Sequence, residues 1–332
     1  MKKIDVYGVC NPLIDLLCHI PDEFLQQWDL EKNRMYLVST DRQHSILKEL
    51  ENRSLKIEHA AGGSGANTMI GIAQLGGHSA FTGKIGFDPR GDQYRNDLED
   101  KGVKAALGAG EGMTGSSLIL VSNDGSRTMN THLGICQELE PDDIDEKVLS
   151  STNILYLTGF LWDTESQKAS VRHALEMAEN LPVKVALSLS DPFCVERHHQ
   201  DFNELIRSRV DLLFCNQEEA FTMMETQVTQ EALAGLSENV ETVVMTLGNR
   251  GSLICNQGQI YYIDPIEVEV VDTTGAGDAY AAGFLYGFSH DQSIMNCGRI
   301  ASVMAGTVIE QIGPRIETAS MKTLKERLTN IP

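Results

Sequence analysis

The sequence predicts an α/β fold: a central, mostly parallel sheet with helices on both faces, and beside it a small β-sheet lid. Two observations lead there. From residue 141 onward, short apolar runs alternate with helical patterns, and such alternation implies right-handed crossovers between parallel strands. Before residue 134, several strand-like runs do not fit that alternation, and Asn123-Asp124-Gly125-Ser126 stands between two of them as a hairpin turn.

In chain order, residues 4–9 read as the first strand, and 14–20, 34–39 and 55–60 as further strands. A helix follows over 67–75, closed by Gly76-Gly77. Residues 80–85 read as strand and 92–101 as helix, and the Gly/Ala-rich stretch 105–115 is the best hinge candidate. The hairpin strands are 116–122 and 128–133. The alternating part then runs strand 154–157, helix 165–180, strand 183–189, helix 202–209, strand 212–215, helix 217–224 and strand 242–246. A β-like run over 266–271 leads into a glycine turn, and a small-residue apolar helix covers 279–288. The core is thus assigned residues 1–13, 61–111 and 134–332, and the lid residues 14–60 and 112–133.

The chain of 332 residues is long enough for one large domain with a small accessory element. Its net charge of −20 argues against nucleic acid as a partner. No apolar run reaches membrane-spanning length. Met1-Lys2-Lys3 is a charged start, but the apolar run after it is short and interrupted by Asp5, unlike a signal peptide. The seven cysteines are scattered without a C-x-x-C pair, which fits a reducing, cytoplasmic setting. His198-His199 reads as solvated surface, since neighbours on a helix face different ways.

The segment Asp272-Thr273-Thr274-Gly275-Ala276-Gly277-Asp278 carries the clearest chemistry. Gly275 and Gly277 remove side chains where a ligand approaches the backbone. The N–H groups of Gly275, Ala276 and Gly277 open a helix, where the dipole favours an anion. Asp278 sets a carboxylate beside that anion site, as phosphoryl transfer to a hydroxyl requires of its general base. A plain glycine turn capped by Asp278 is the other reading. In Gly62-Gly63-Ser64-Gly65-Ala66-Asn67, adjacent glycines admit a sugar and Asn67 offers a donor and an acceptor; Asn67 as a helix N-cap is the alternative. Asp15, in Asn11-Pro12-Leu13-Ile14-Asp15, can accept two hydrogen bonds from a vicinal diol. Asn216-Gln217-Glu218-Glu219 is either a site element or a helix start with acidic residues on the dipole.

The 272–284 stretch resembles the C-terminal signature of the ribokinase/PfkB family of small-molecule kinases, and Gly62 to Asn67 resembles its N-terminal signature, with Met69 where the pattern has a small residue. The resemblance covers nearly the whole chain. It implies the ribokinase-like three-layer sandwich and an ATP-dependent phosphotransferase with Mg²⁺. By it, Glu219 orders Mg²⁺ through water together with Asn216, and Thr246, Gly248 and Thr273 contact the nucleotide. Arg127, past the hairpin turn, would reach the transferred phosphoryl group as the lid closes over acceptor. A K⁺ site near Asp272 and Thr274, completed by carbonyls around 309–315, is also implied. Three stretches resemble adenosine kinases rather than ribokinases or fructokinases: residues 11–15, Ser188-Leu189-Ser190-Asp191-Pro192-Phe193, and 211–220. On that basis Asn11, Asp15, Gly63, Ser64 and Asn67 hold a ribose and Phe193 helps enclose the base, with Tyr156, Phe160 and Trp162 nearby. A sugar kinase of the same family and a non-catalytic scaffold are the alternatives. The chain is expected to work as a monomer, or as a homodimer paired through its lids, with no nucleic-acid or membrane partner.

Overall fold

The computed structural model describes residues 4–32 and 34–331; the charged start at 1–3 lies outside them. Nine strands form the main sheet in the order Gln259–Ile263, Ser252–Asn256, Thr242–Thr246, Leu212–Asn216, Lys184–Ser188, Thr152–Thr158, Ile4–Val9, Ser79–Thr82 and Lys104–Ala105. From Thr242–Thr246 to Lys104–Ala105 the pairings are parallel, and the two strands at the other edge are antiparallel. Both faces are covered, so the central strands bury apolar side chains on both sides, with polar residues such as Asp5, Asn153 and Lys184 near their starts. Ile154 and Tyr156 of one strand pack into one apolar cluster, and Leu155 and Leu157 into the other. The first cluster holds Ala279, Ala282 and Leu285 of helix Ala276–Ser289 and Ala301 of helix Ile294–Val308. The second holds Val171 of helix Glu165–Glu179 and Leu205 of helix His199–Ser208. This is the expected three-layer sandwich.

A second sheet of five strands runs Met35–Leu37, Arg127–His132, Gly115–Val121, Leu13–His19 and Ile57–Gly62. The Asn123–Ser126 turn joins its central antiparallel pair as expected. One face is covered by helix Thr40–Asn52, which the sequence reading left unassigned. Ser39 caps it by accepting from the Arg42 N–H, Ile46 and Leu50 are fully buried, and Gln43 donates to the Ser116 and Asn130 carbonyls at 3.0 and 2.9 Å. Its buried stripe is only three residues wide, so apolar periodicity is faint.

Four expectations need correction. Residues 266–271 form no strand; Val270 and Val271 are exposed and no partner strand lies beside them. The run 80–85 breaks at Gly83, with Ser79–Thr82 in the main sheet and Lys84–Gly86 paired to Gly108–Gly110. The 105–115 hinge candidate therefore carries strand pairing of its own. His198 and His199 are not solvated either: their Nε2 atoms bond Asp163 at 3.2 Å and the Met223 carbonyl at 2.9 Å. All seven cysteines are buried thiols. Among the described residues, no helix is long and apolar enough to cross a membrane.

Candidate active site

Helix Ala276–Ser289 begins at the end of the main sheet facing the small sheet, and its first turn forms the floor of a cavity. Gly275 precedes it with φ of 76°, a left-handed conformation, and a Cβ there would lie 2.4 Å from the Pro314 carbonyl oxygen. Glycine at this position is required by the turn itself. Gly277 is different. A Cβ on it would meet nothing within 4 Å, and its φ is ordinary, so nothing inside the protein calls for glycine there. The helix start has no side-chain cap, which leaves first-turn N–H groups for an outside acceptor. The Ala276 N–H already donates to the Thr273 carbonyl at 3.2 Å.

Asp278 follows in the first turn. Ser64 Oγ donates to its Oδ1 at 2.6 Å, and Asn67 Nδ2 to its Oδ2 at 2.9 Å. Both donors come from helix Ser64–Gln74, whose N-cap is Gly63 and not Asn67; Asn67 is buried inside the first turn. Burial pushes the Asp278 carboxyl up to about 6, against the pull of the Ser64 and Asn67 bonds and the charge of Arg315. Asp15 lies in the same cavity, also raised to about 6 by burial, with Arg315 and Arg127 opposing and Asp278 adding to the rise. Arg315 donates from Nε to Asn67 Oδ1 at 2.8 Å.

The cavity measures about 220 Å³. Asn11, Asp15, Gly63, Ser64, Asn67, Thr274 and Asp278 line its polar end. The small sheet contributes Met35 and Leu37, Ile119 and Met129 besides Asp15 of its strand Leu13–His19, Leu133 follows just after it, and Phe160 and Asp163 stand at the rim of the main sheet. Alternate residues of each strand face inward, as pleating dictates. Asn11 is held by its own bonds, donating to the Phe160 carbonyl at 3.0 Å and accepting from Gln167 at 2.6 Å. Phe193 does not line the cavity. It is 54% exposed, with the Arg34 guanidinium of the small sheet 5.9 Å from its ring. Phe160 is the aromatic ring in the wall; Tyr156 and Trp162 are buried in the two cores.

Arg127 already stands at the glycine loop: it is largely buried and ion-paired with Asp272, which joins the small sheet to that loop. Asp272 also accepts from the Thr274 N–H at 3.0 Å and the Gly313 N–H at 2.7 Å. Burial alone would raise its carboxyl, but these two bonds and the Arg127 charge hold it below the ordinary value.

The next strand ends supply a second, open region. Asn216 and Glu219 form a reciprocal capping box: Glu219 N–H donates to Asn216 Oδ1 at 2.8 Å, and Asn216 N–H to Glu219 Oε2 at 3.0 Å. Glu219 is buried and raised to about 7, first by burial and then by Asp191 and Glu218. Among the described residues no cluster of three His, Cys, Asp or Glu could cage a metal ion. A hydrated Mg²⁺ needs only one or two carboxylates besides phosphate, and Glu219, whose oxygens accept from Asn216 at 3.0 and 2.7 Å and which has acidic Asp191 and Glu218 near it, fits such an ion held through water. Thr246 ends strand Thr242–Thr246, and Gly248 turns the chain with φ of 62° and open space around its Cα. Thr273 is exposed on the glycine loop.

The motifs thus converge on one end of the main sheet. Sequence reasoning missed Arg315, Asp163 and the inward face of the small sheet. Arg315 had only a Gly313-Pro314 turn before it to draw notice.

The solved adenosine kinase of Sinorhizobium meliloti is similar to this chain with a TM-score of 0.89 at 35% identity, covering 98% of this chain and 99% of that one. A probable sugar kinase from Rhizobium etli gives a TM-score of 0.90, also at 35% identity and with coverage of 98% and 99%. The adenosine kinase of Dictyostelium discoideum is 25% identical over 347 residues, covering 97% of this chain and 99% of its own length. The sequence pattern of the pfkB family carbohydrate kinases matches residues 31–320. This chain belongs to the pfkB family of carbohydrate kinases and is a phosphotransferase acting on an alcohol group.

Proposed function

We propose that the chain transfers the γ-phosphoryl group of ATP to the 5′-hydroxyl of adenosine, giving AMP and ADP. The observation that carries this reading is the two-sided cavity. Its floor offers Asp15 and Asp278 to hydroxyls, and its wall offers Met35, Leu37, Ile119, Met129 and Phe160. A free sugar has no use for that apolar wall, whereas a nucleobase buries against it.

Asp15 accepts hydrogen bonds from the ribose diol, beside Gly63 and Asn11. Asp278 takes the proton of the 5′-hydroxyl as that oxygen attacks phosphorus. Its carboxyl, poised at about 6 by burial, is ionised at neutral pH yet basic enough to accept the proton. Ser64 and Asn67 aim it; each donates to one oxygen and leaves other lone pairs for the substrate. The N–H groups of Gly275 and Gly277 receive the charge that builds on the transferred group, while that of Ala276 is held by the Thr273 carbonyl. Arg127, already at the loop, adds a cation there. Mg²⁺ would be held through water at Asn216 and Glu219, where it neutralises triphosphate charge. Thr246, Gly248 and Thr273 contact the nucleotide. The small sheet excludes water, so that ATP is not hydrolysed.

Phosphorylation of a free sugar is the second reading, supported by the similarity to a probable sugar kinase and by the outward position of Phe193. Initial rates of ADP formation with adenosine, inosine, ribose and fructose decide between them. The proposal expects adenosine to give the highest kcat/KM; a preference for ribose or fructose rejects it in favour of the second reading.

A further inference from the structure

Arg315 reaches the cavity floor from behind, just past the Gly313-Pro314 turn. Its Nε bond to Asn67 Oδ1 settles which way the Asn67 amide faces. With Oδ1 accepting from arginine, Nδ2 is left to donate to Asp278. The inverted amide would set oxygen against a carboxylate oxygen with no proton between them. The same guanidinium also acts on Asp278 by its charge. Hydrogen bonding alone does not account for an arginine here, since its buried Nη2 has no hydrogen-bond partner among the described residues. A buried guanidinium is costly unless acidic groups surround it; here Asp15, Asp97 and Asp278 do, with Tyr94 beside them.

We propose that Arg315 is a positioning residue for phosphoryl transfer: it locks the Asn67 amide against Asp278 and sets a guanidinium behind that carboxylate, without touching the substrate. The proposal rests on the reading of Asp278 as general base. The groups that face Asp278 are Ser64 and Asn67 from helix Ser64–Gln74, Asp15 and Cys10 from the first two strands and the loop between them, Tyr156 from the central strand, and Arg315. Cys10 and Tyr156 are buried and keep their protons, and Asp15 repels a second negative charge. Arg315 is the group whose charge acts in the opposite sense on Asp278. Asp15 is faced in addition by Arg127, so the two carboxylates need not respond equally.

The test is the titration of Asp278, read by ¹³C NMR of carboxyl-labelled aspartate in the full chain, with Asp278→Asn identifying the signal. Arg315→Gln keeps a donor for Asn67 but loses the charge, and it is expected to move the Asp278 midpoint upward by about one pH unit or more. Arg315→Lys restores the charge and should bring the midpoint back toward the parent value. The acid limb of kcat moves with the midpoint, so Arg315→Gln loses more turnover near pH 6 than near pH 8.5 while the acceptor KM changes little. A midpoint that stays in place in Arg315→Gln overturns the proposal, as does an equal loss of kcat at every pH. If the parent chain phosphorylates no alcohol, the functional reading fails instead, and the NMR midpoint still decides what Arg315 does.

Discussion

Replacing Asp278 with Asn should destroy turnover and at the same time stabilise the fold. Asparagine fits the same space. Its oxygen can accept from Asn67, and its NH₂ can donate to Ser64, whose hydroxyl turns to accept. What it cannot do is take a proton, and general-base loss typically lowers rate by about 10²–10⁴-fold. The stability effect follows from the same burial. The carboxyl is raised in the folded state from 3.8 to about 6. A group with a raised folded pKa contributes stability that is full below its unfolded value and is lost as pH rises through the folded value. At pH above about 6 the ionised Asp278 therefore weighs against folding. Two units would amount to about 3 kcal/mol, and solvent reaching the cavity reduces this to about 1–2 kcal/mol. The uncharged variant removes that penalty, so its Tm at neutral pH should rise by about 1–3 °C, with little difference from the parent near pH 4. Calorimetric scans at both pH values and steady-state rates with ATP and adenosine read the two effects. Near-full activity in the variant, or a Tm below the parent's at neutral pH, would refute the reasoning.

Other perturbations probe the remaining parts. Gly277→Val should fold normally, since a Cβ there meets nothing within 4 Å, yet block approach of the triphosphate; unchanged ATP turnover in that variant would make the loop a plain turn. Arg127→Ala removes both the cation at the loop and its tie to Asp272, and kcat should drop by about 10²-fold or more; a change only in thermal stability would assign Arg127 a purely structural role. Initial rates in K⁺, Na⁺ and choline salts should differ little, because Arg127 and the Thr274 and Gly313 N–H groups already occupy the Asp272 carboxylate. Several-fold activation by K⁺ would mean that neighbouring carbonyls suffice for an ion.

The parts of this molecule that were readable in the sequence are those with local causes. Strand–helix alternation after residue 141 requires only that neighbouring segments bury apolar faces, and the four parallel strands from Thr152–Thr158 to Thr242–Thr246 follow it in order, whereas the antiparallel edge pair Ser252–Asn256 and Gln259–Ile263 was not foreseen. The glycine loop was readable because Gly275 is demanded by a left-handed turn and Asp278 must then fall in the first turn of the next helix. Ser64 and Asn67 were expected to hold a ribose; their side chains also bond Asp278, a contact across more than two hundred residues that no local pattern encodes. The pairing of Arg127 with Asp272 and the arrival of Arg315 at Asn67 were hidden for the same reason. Residues 266–271 look like a strand because their β-branched residues recur at strand spacing, but a strand needs a partner and the sheet offers none there. Helix Thr40–Asn52 is the converse case: its surface is polar on most sides, and Ser39 at its cap was a stronger sign than its apolar residues.

Product identity tests the central claim most directly. With the purified chain, Mg²⁺, ATP and adenosine, ³¹P NMR and mass spectrometry should find AMP phosphorylated at the 5′-oxygen and ADP in equal amounts, with no inorganic phosphate above background. ADP formed with inorganic phosphate and no AMP, or phosphorylation of ribose or fructose but not of adenosine, would contradict the account.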